Sequence, residues 1–179
     1  LSMQRESRKG SSKGKRELKI GVVYEGWEQR YPCSKEYKTI EKTAFAGYMK
    51  PGDFKALRDA VVAEKYNTDE IQYRVLNGDG APWIVNGHDT EDSLFQLDPY
   101  HLSKSVIRNV YDKNSRRHIM RWLKEGQFEK VFRKLEELKY ECGGLESEVK
   151  KLTALEVYIK SNIGRIVPYR ERTGIKLPS

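Results

Sequence analysis

Residues Tyr73 to Gly87 read YRVLNGDGAPWIVNG, and the reading of Asp79 within them decides the fold. Tyr73-Arg74-Val75-Leu76 is a strand-like run that feeds straight into Asn77-Gly78-Asp79-Gly80. As a bare string, NGDG is turn chemistry, because Asn, Gly and Asp all suit tight turns. A carboxylate at the C-terminal end of a buried parallel strand reads differently: open α/β sheets bind their ligands there. Gly78 and Gly80 would let backbone or substrate approach closely. An acid so placed suits Mg²⁺, which takes a few oxygen ligands and keeps water or phosphate for the rest.

The next strand carries a second acid. FQLDPYHLSKSV, Phe95 to Val106, ends a short apolar run (Ser93 to Asp98) in Asp98, with His101 three residues later at the opening of a helix. On its own Asp98 reads as an N-cap before Pro99, a residue suited to the first helical position. His101 on its own reads as a helix-start residue bonded to nearby backbone. No zinc site is expected: no Cys lies near, and His88 and His118 have no spacing relation.

Upstream, Leu1 to Arg5 alternates apolar and polar as a half-buried strand does. SRKGSSKGKR (Ser7 to Arg16) follows as a basic, Gly- and Ser-rich connection. Glu17 to Trp27 is a second strand centred on Ile20, Val22 and Val23, so the two predict a hairpin with a basic tip. Tyr37 to Met49 is a third. Pro51-Gly52-Asp53 breaks the chain, and Phe54, Leu57 and Val61 then predict a helix N-capped by Asp53 and ending near Asn67. A helical crossover makes the flanking strands candidates for one mixed sheet.

After His101 the strand patterns stop, and Leu102 to Ile163 holds no proline. Val106, Val110 and Tyr111 suit one helix, Ile119 and Leu123 a second. Phe128, Val131, Phe132, Leu135 and Leu138 stripe a third; Leu145, Val149, Leu152, Leu155, Ile159 and Ile163 a fourth. Gly126 and the Gly143-Gly144 pair are the stops. The tail from Val167 reads as irregular. The expected domains are a core over 1–101, an all-helical insertion over 102–165 and a return segment over 166–179.

Composition narrows the function classes. Among 179 residues 37% are hydrophobic, 34% charged and 11% aromatic, enough aromatic content to argue against disorder. The net charge of +8 favours a polyanionic partner, nucleic acid first. Cys33 and Cys142 match no metal or redox spacing and imply no disulfide framework, so an intracellular setting is expected. No apolar run reaches the length of a membrane span, and no signal peptide is visible. The chain opens on Leu1 in mid-pattern, which reads as a fragment of a longer protein.

ELKIGVVYEGW, NGDGAPWI and LDPYHLSK, in this order before a helical region, resemble bacterial insertion-sequence transposases of the mutator-like group. The resemblance runs over most of residues 1 to 179 and is strongest from Glu17 to Ser105. It implies an α/β, ribonuclease H-like mixed five-stranded sheet with an all-helical insertion. It also implies an aspartate-aspartate-glutamate triad that cuts and joins DNA with Mg²⁺ or Mn²⁺. By the resemblance Asp79 is the second catalytic acid and a metal ligand, and Asp98 and His101 match a supporting C/D-x-x-H motif. The first Asp and the final Glu are expected outside these residues, so this segment alone is expected to be inactive and to gain its metal only with the complete triad. Glu156, on an amphipathic helix, reads as a solvated face, and Glu171, between arginines, as a surface ion pair. Neither is taken as the third acid.

Lys104, Arg108, Arg116, Arg117 and Arg121, with Lys113 and Lys124, are candidate phosphate contacts, set against a merely solvated helix surface. NSRRHIMRWLK (Asn114 to Lys124) holds cations and no acid. Trp122 reads as core. DNA is the expected partner, with a homo-oligomer in the DNA complex, and the cytoplasm, at the nucleoid, the expected place. Two other functions fit the same residues: a non-catalytic nucleic-acid-binding domain of ribonuclease H-like fold, and a nuclease of that fold that hydrolyses without joining.

Overall fold

A computed structural model describes residues 2–4, 15–85 and 93–174. The expected basic tip, Ser7 to Arg16, lies mostly outside the described residues. The chain divides into two compact units, one up to Gln72 and one from Tyr73 onward.

In the first unit, β1 (Ser2–Gln4) pairs antiparallel with β2 (Lys15–Glu17), so the hairpin partner is made mostly of residues expected in the basic tip, and the strand expected around Ile20, Val22 and Val23 pairs elsewhere. The second and third predicted strands are each broken in two. The second gives β3 (Lys19–Val23) and β4 (Gly26–Gln29); the third gives β5 (Tyr37–Ile40) and β6 (Thr43–Gly47). β3 pairs antiparallel with β6 and β4 with β5, the break falling where Glu41 takes a left-handed φ of 47°. Across β4 and β5, Lys38 and Glu28 form an ion pair of 2.9 Å. Gly21 lies opposite Phe45, and a Cβ there would stand 2.3 Å from the ring, so only glycine leaves the ring room. The Phe45 ring then meets buried Phe54, centroids 5.3 Å apart, from the helix α1 (Pro51–Lys65).

Asp53 does not cap α1. Pro51, preset for a first helical turn, starts the helix earlier, so Lys50 is the N-cap and Asp53 sits inside the first turn. The helix ends at Lys65, followed by a 3₁₀ turn over Thr68–Glu70.

The second unit opens with β7 (Arg74–Gly78), a short helix α2 (Pro82–Val85) and β8 (Ser93–Leu97). β7 and β8 are parallel, in register from Arg74↔Ser93 to Gly78↔Leu97. Four helices follow: α3 (Pro99–Asn109), α4 (Lys113–Lys124), α5 (Phe128–Glu141) and α6 (Glu146–Ile166). Leu97, Leu102, Val106, Val110, Ile119, Leu123, Val131, Leu135, Leu138, Leu152, Leu155, Ile159 and Ile166 are buried together as the core. The apolar stripes predicted for these helices therefore face one another, with Trp122 packed at the margin. Ile163 and Leu145 are exposed instead: the stripe of α6 runs through Asn162 and Ile166.

The tail read as irregular contains α7 (Tyr169–Thr173). Two polar side chains tie it to β8. Buried Gln96 donates to the Arg165 carbonyl at 2.9 Å and accepts from the Tyr169 amide at 2.8 Å. Arg172 donates to the carbonyls of Phe95, Gly164 and Val167 at 2.7–2.8 Å.

The class is mixed α/β, with strands and helices in the expected order. The expected single five-stranded sheet is not seen: the described strands form four two-stranded sheets. In the expected order the first strand would join the antiparallel strands to β7. Of that strand only Ser2–Gln4 are described, and they pair with β2. Among the described residues, no helix is long and apolar enough to cross a membrane, and both cysteines are free thiols.

Candidate active site

The parallel ladder carries one step beyond the strands: the Asp98 amide donates to the Gly78 carbonyl at 2.8 Å. Asp79 and Asp98 are thus the residues that follow paired Gly78 and Leu97, at the C-terminal ends of adjacent parallel strands. Phe95, Gln96 and Leu97 are all buried, so the last residues of β8 are covered on both faces up to Asp98.

Each carboxylate is half committed. Asp79 Oδ1 accepts from the Ala81 amide at 2.9 Å, closing a turn, and its side chain is exposed. Asp98 Oδ1 accepts from the Tyr100 amide at 2.9 Å and caps α3, with Pro99 in the first turn. Its Oδ2 lies 3.7 Å from His101 Nε2, too long for a hydrogen bond and an ion pair only when the imidazole is protonated. His101 stands edge-on to Tyr100, centroids 5.4 Å apart. The local readings of Asp79 as turn residue and Asp98 as cap therefore describe one oxygen of each acid.

Two residues of α6, unforeseen from the sequence, close over this end of the strands. The Tyr158 hydroxyl donates to the Asp79 main-chain carbonyl at 3.0 Å. Burial, then the charges of Asp79 and Asp98, push the Tyr158 hydroxyl above the usual tyrosine range, so the phenol stays protonated and able to donate. Asn162, buried, donates to the Tyr158 carbonyl at 2.9 Å. Gly80 has a φ of +85°, and a Cβ on it would lie 2.9 Å from Asn162 Oδ1. Their spacing, three and seven residues after Leu155, places them along the buried stripe of α6, but nothing in it records a contact with the turn at Asp79.

The donor set suits a hard divalent cation in part. Two carboxylates with one oxygen each beyond their backbone bonds can serve as oxygen ligands, with water completing the shell. Among the described residues no group of three or more His, Cys, Asp or Glu side chains converges on one point.

Glu156 is not part of this end. Its side chain, only 14% exposed, is bound by Lys139 and Lys160, whose hydrogen bonds hold it below the usual glutamate range. That corrects the solvated-face reading: Glu156 is a largely buried ion-pair acid between α5 and α6. Glu171 is exposed, and among the described residues it forms no ion pair; the neighbouring Arg172 binds main-chain carbonyls instead.

The candidate phosphate contacts separate. Arg116 Nε donates to the Val110 carbonyl, so this guanidinium helps close the turn between α3 and α4. Arg117 and Arg121 are exposed on α4, with Lys113 and Lys124 at spacings that put all four on one face. Lys104 and Arg108 are exposed one turn apart on α3, Lys104 lying 5.8 Å above the Tyr100 ring.

No solved structure matches the chain. Two UPF0236 proteins of Caldanaerobacter subterraneus subsp. tengcongensis are each 30% identical to it over 155 residues, covering 86% of this chain and 32% and 31% of theirs. A third from the same organism is 34% identical over 115 residues, 62% of this chain and 24% of its own length. The chain thus spans about a third or less of the length of these curated relatives. The model of the uncharacterised protein family UPF0236 matches residues 4–177, and the chain belongs to that family.

Proposed function

We propose that this segment is part of a DNA transposase of the aspartate-aspartate-glutamate type, with Asp79 as its second catalytic acid. The observation that carries the reading is the pair Asp79 and Asp98 at the ends of adjacent parallel strands, each with an oxygen beyond its backbone bond. The motif resemblance supports it. So does a relative's name: one UPF0236 protein of Caldanaerobacter carries eleven locus designations. One protein at many loci of a genome is what a self-copying element leaves behind.

In this reading the fold is ribonuclease H-like, and the other two acids come from sequence outside residues 1–179. Mg²⁺ or Mn²⁺, when bound, would supply activation of the attacking oxygen and stabilisation of the leaving one at a phosphodiester. Asp79 would present its second oxygen to that site. Asp98 would hold the adjacent strand end, with His101 beside it, and the exposed cations of α3 and α4 would meet DNA phosphates.

The test is movement of a marked element in cells supplied with a full-length protein carrying this segment. Asp79→Ala should lower the frequency at least about a hundredfold, since losing a ligand costs no less than losing a residue that orients one, about 10–100-fold. Movement at the wild-type frequency would refute the proposal. It would favour the second reading, a nucleic-acid-binding domain in which Asp79 serves only the turn to Ala81. DNA cut without joined product would instead mark a nuclease.

A further inference from the structure

We infer that Tyr158 of α6 is a positioning residue for Asp79, which makes the helical segment a working part of the acid site; this rests on the reading of Asp79 just given. The hydroxyl of Tyr158 donates to the main-chain oxygen of the acid itself, at 3.0 Å and across 79 positions of sequence. Asp79 is then held at two points, its carbonyl by Tyr158 and its Oδ1 by the Ala81 amide, which restricts where the remaining oxygen can point. Asn162, one turn along α6, abuts Gly80 so closely that a Cβ there would stand 2.9 Å from its Oδ1.

The helix that makes these contacts is itself anchored to the neighbouring strand. Gln96 of β8 donates to the carbonyls of Arg165 and Ile166 at the C-terminal end of α6, at 2.9 and 3.3 Å. The ends of β7 and β8 are thereby referred to one rigid element. Ligating carboxylates work at full affinity when partners outside the coordination shell fix their orientation. The Tyr158 ring is half-buried, and its hydroxyl is the part of the side chain that reaches the turn. Removing that oxygen alone therefore separates orientation from packing.

The experiment compares Tyr158→Phe and Asp79→Asn in a full-length protein carrying this segment. Tyr158→Phe should raise the Mg²⁺ concentration for half-maximal DNA cleavage about tenfold, with excess Mg²⁺ restoring the rate. DNA affinity should stay within about twofold, since no phosphate contact is touched. Independently of activity, amide exchange in the peptide spanning residues 76–84 should quicken about fivefold, the effect of one lost hydrogen bond. An unchanged Mg²⁺ midpoint and unchanged exchange, with Asp79→Asn inactive, would overturn the inference and leave the reading of Asp79 standing. A loss that Mg²⁺ does not restore and that tracks a loss of folded protein would make Tyr158 structural only, overturning it likewise. Wild-type cleavage by Asp79→Asn would overturn both.

Discussion

Gly80 shows how a single position ties backbone to side chain. Its φ of +85° is in the left-handed region, and the space a Cβ would need is taken by Asn162 and Leu97. Gly80→Ala should therefore lower stability by about 1–3 kcal/mol, from backbone strain alone, measured by urea unfolding of the 179-residue chain. A change of only a few tenths would show that the turn relaxes away from α6. Asp79 has the opposite character, since its exposed side chain bears little on stability and its weight lies in the proposed chemistry. As a string, NGDG disclosed the turn and no more. The partner that distinguishes Asp79, Tyr158, lies on a helix far along the chain, and no local pattern records such a contact.

At the scale of elements, α5 and α6 are joined by apolar packing and by the Lys139–Glu156–Lys160 cluster. Hydrogen bonds from Lys139 and Lys160 depress the Glu156 carboxyl. For Lys139, burial works against the charge, but Glu136 and Glu156 outweigh it and raise its pKa. A depressed acid contributes stability above its unfolded value, about 4.3, and the contribution is lost as pH falls through the folded value. A raised lysine contributes below its unfolded value, about 10.4, and that contribution fades as pH rises through the folded one. The cluster is thus intact across the neutral range and weakens at both the acid and the alkaline extremes. Glu156→Gln should cost about 1–3 kcal/mol at pH 7, as for a hydrogen-bonded charge removed from a largely buried site. It should also flatten the loss of stability below about pH 4.3, read as the urea midpoint against pH. The same acid slope in the variant would assign the loss to other carboxylates.

The helices were legible in the sequence because their apolar residues recur at helical spacing and glycines mark their ends. The strands were legible as runs but not as ladders. Glu41, in a left-handed conformation, divides what alternation presents as one strand. Similarly, α7 has little apolar periodicity; it forms where Gln96 accepts from its Tyr169 amide and where its own Arg172 binds the carbonyls of Phe95, Gly164 and Val167.

For the whole molecule the charge of +8 is distributed with purpose only in part. Arg116 is spent on the Val110 carbonyl, whereas Arg117 and Arg121 stand free on the exposed face of α4 among the described residues. If that face meets DNA, each phosphate contact contributes about 0.9 to the slope of log affinity against log salt. The double variant Arg117→Ala, Arg121→Ala should weaken DNA binding similarly across sequences and reduce the slope by about 2. An unchanged slope in a salt titration would mark α4 as a solvated face and move the search to Lys104 and Arg108.

Residue order by itself determined the mixed α/β class, the strand, helix, strand alternation and the four long helices, because periodicity and helix stops are local properties. It also determined which acids end the two parallel strands. Only the tertiary structure decided that Glu156 is neutralised by two lysines, that Arg116 binds backbone and that Tyr158 and Asn162 close over Asp79. Those outcomes depend on groups brought together from distant positions, where burial and hydrogen bonding, not spacing, set the role of each side chain.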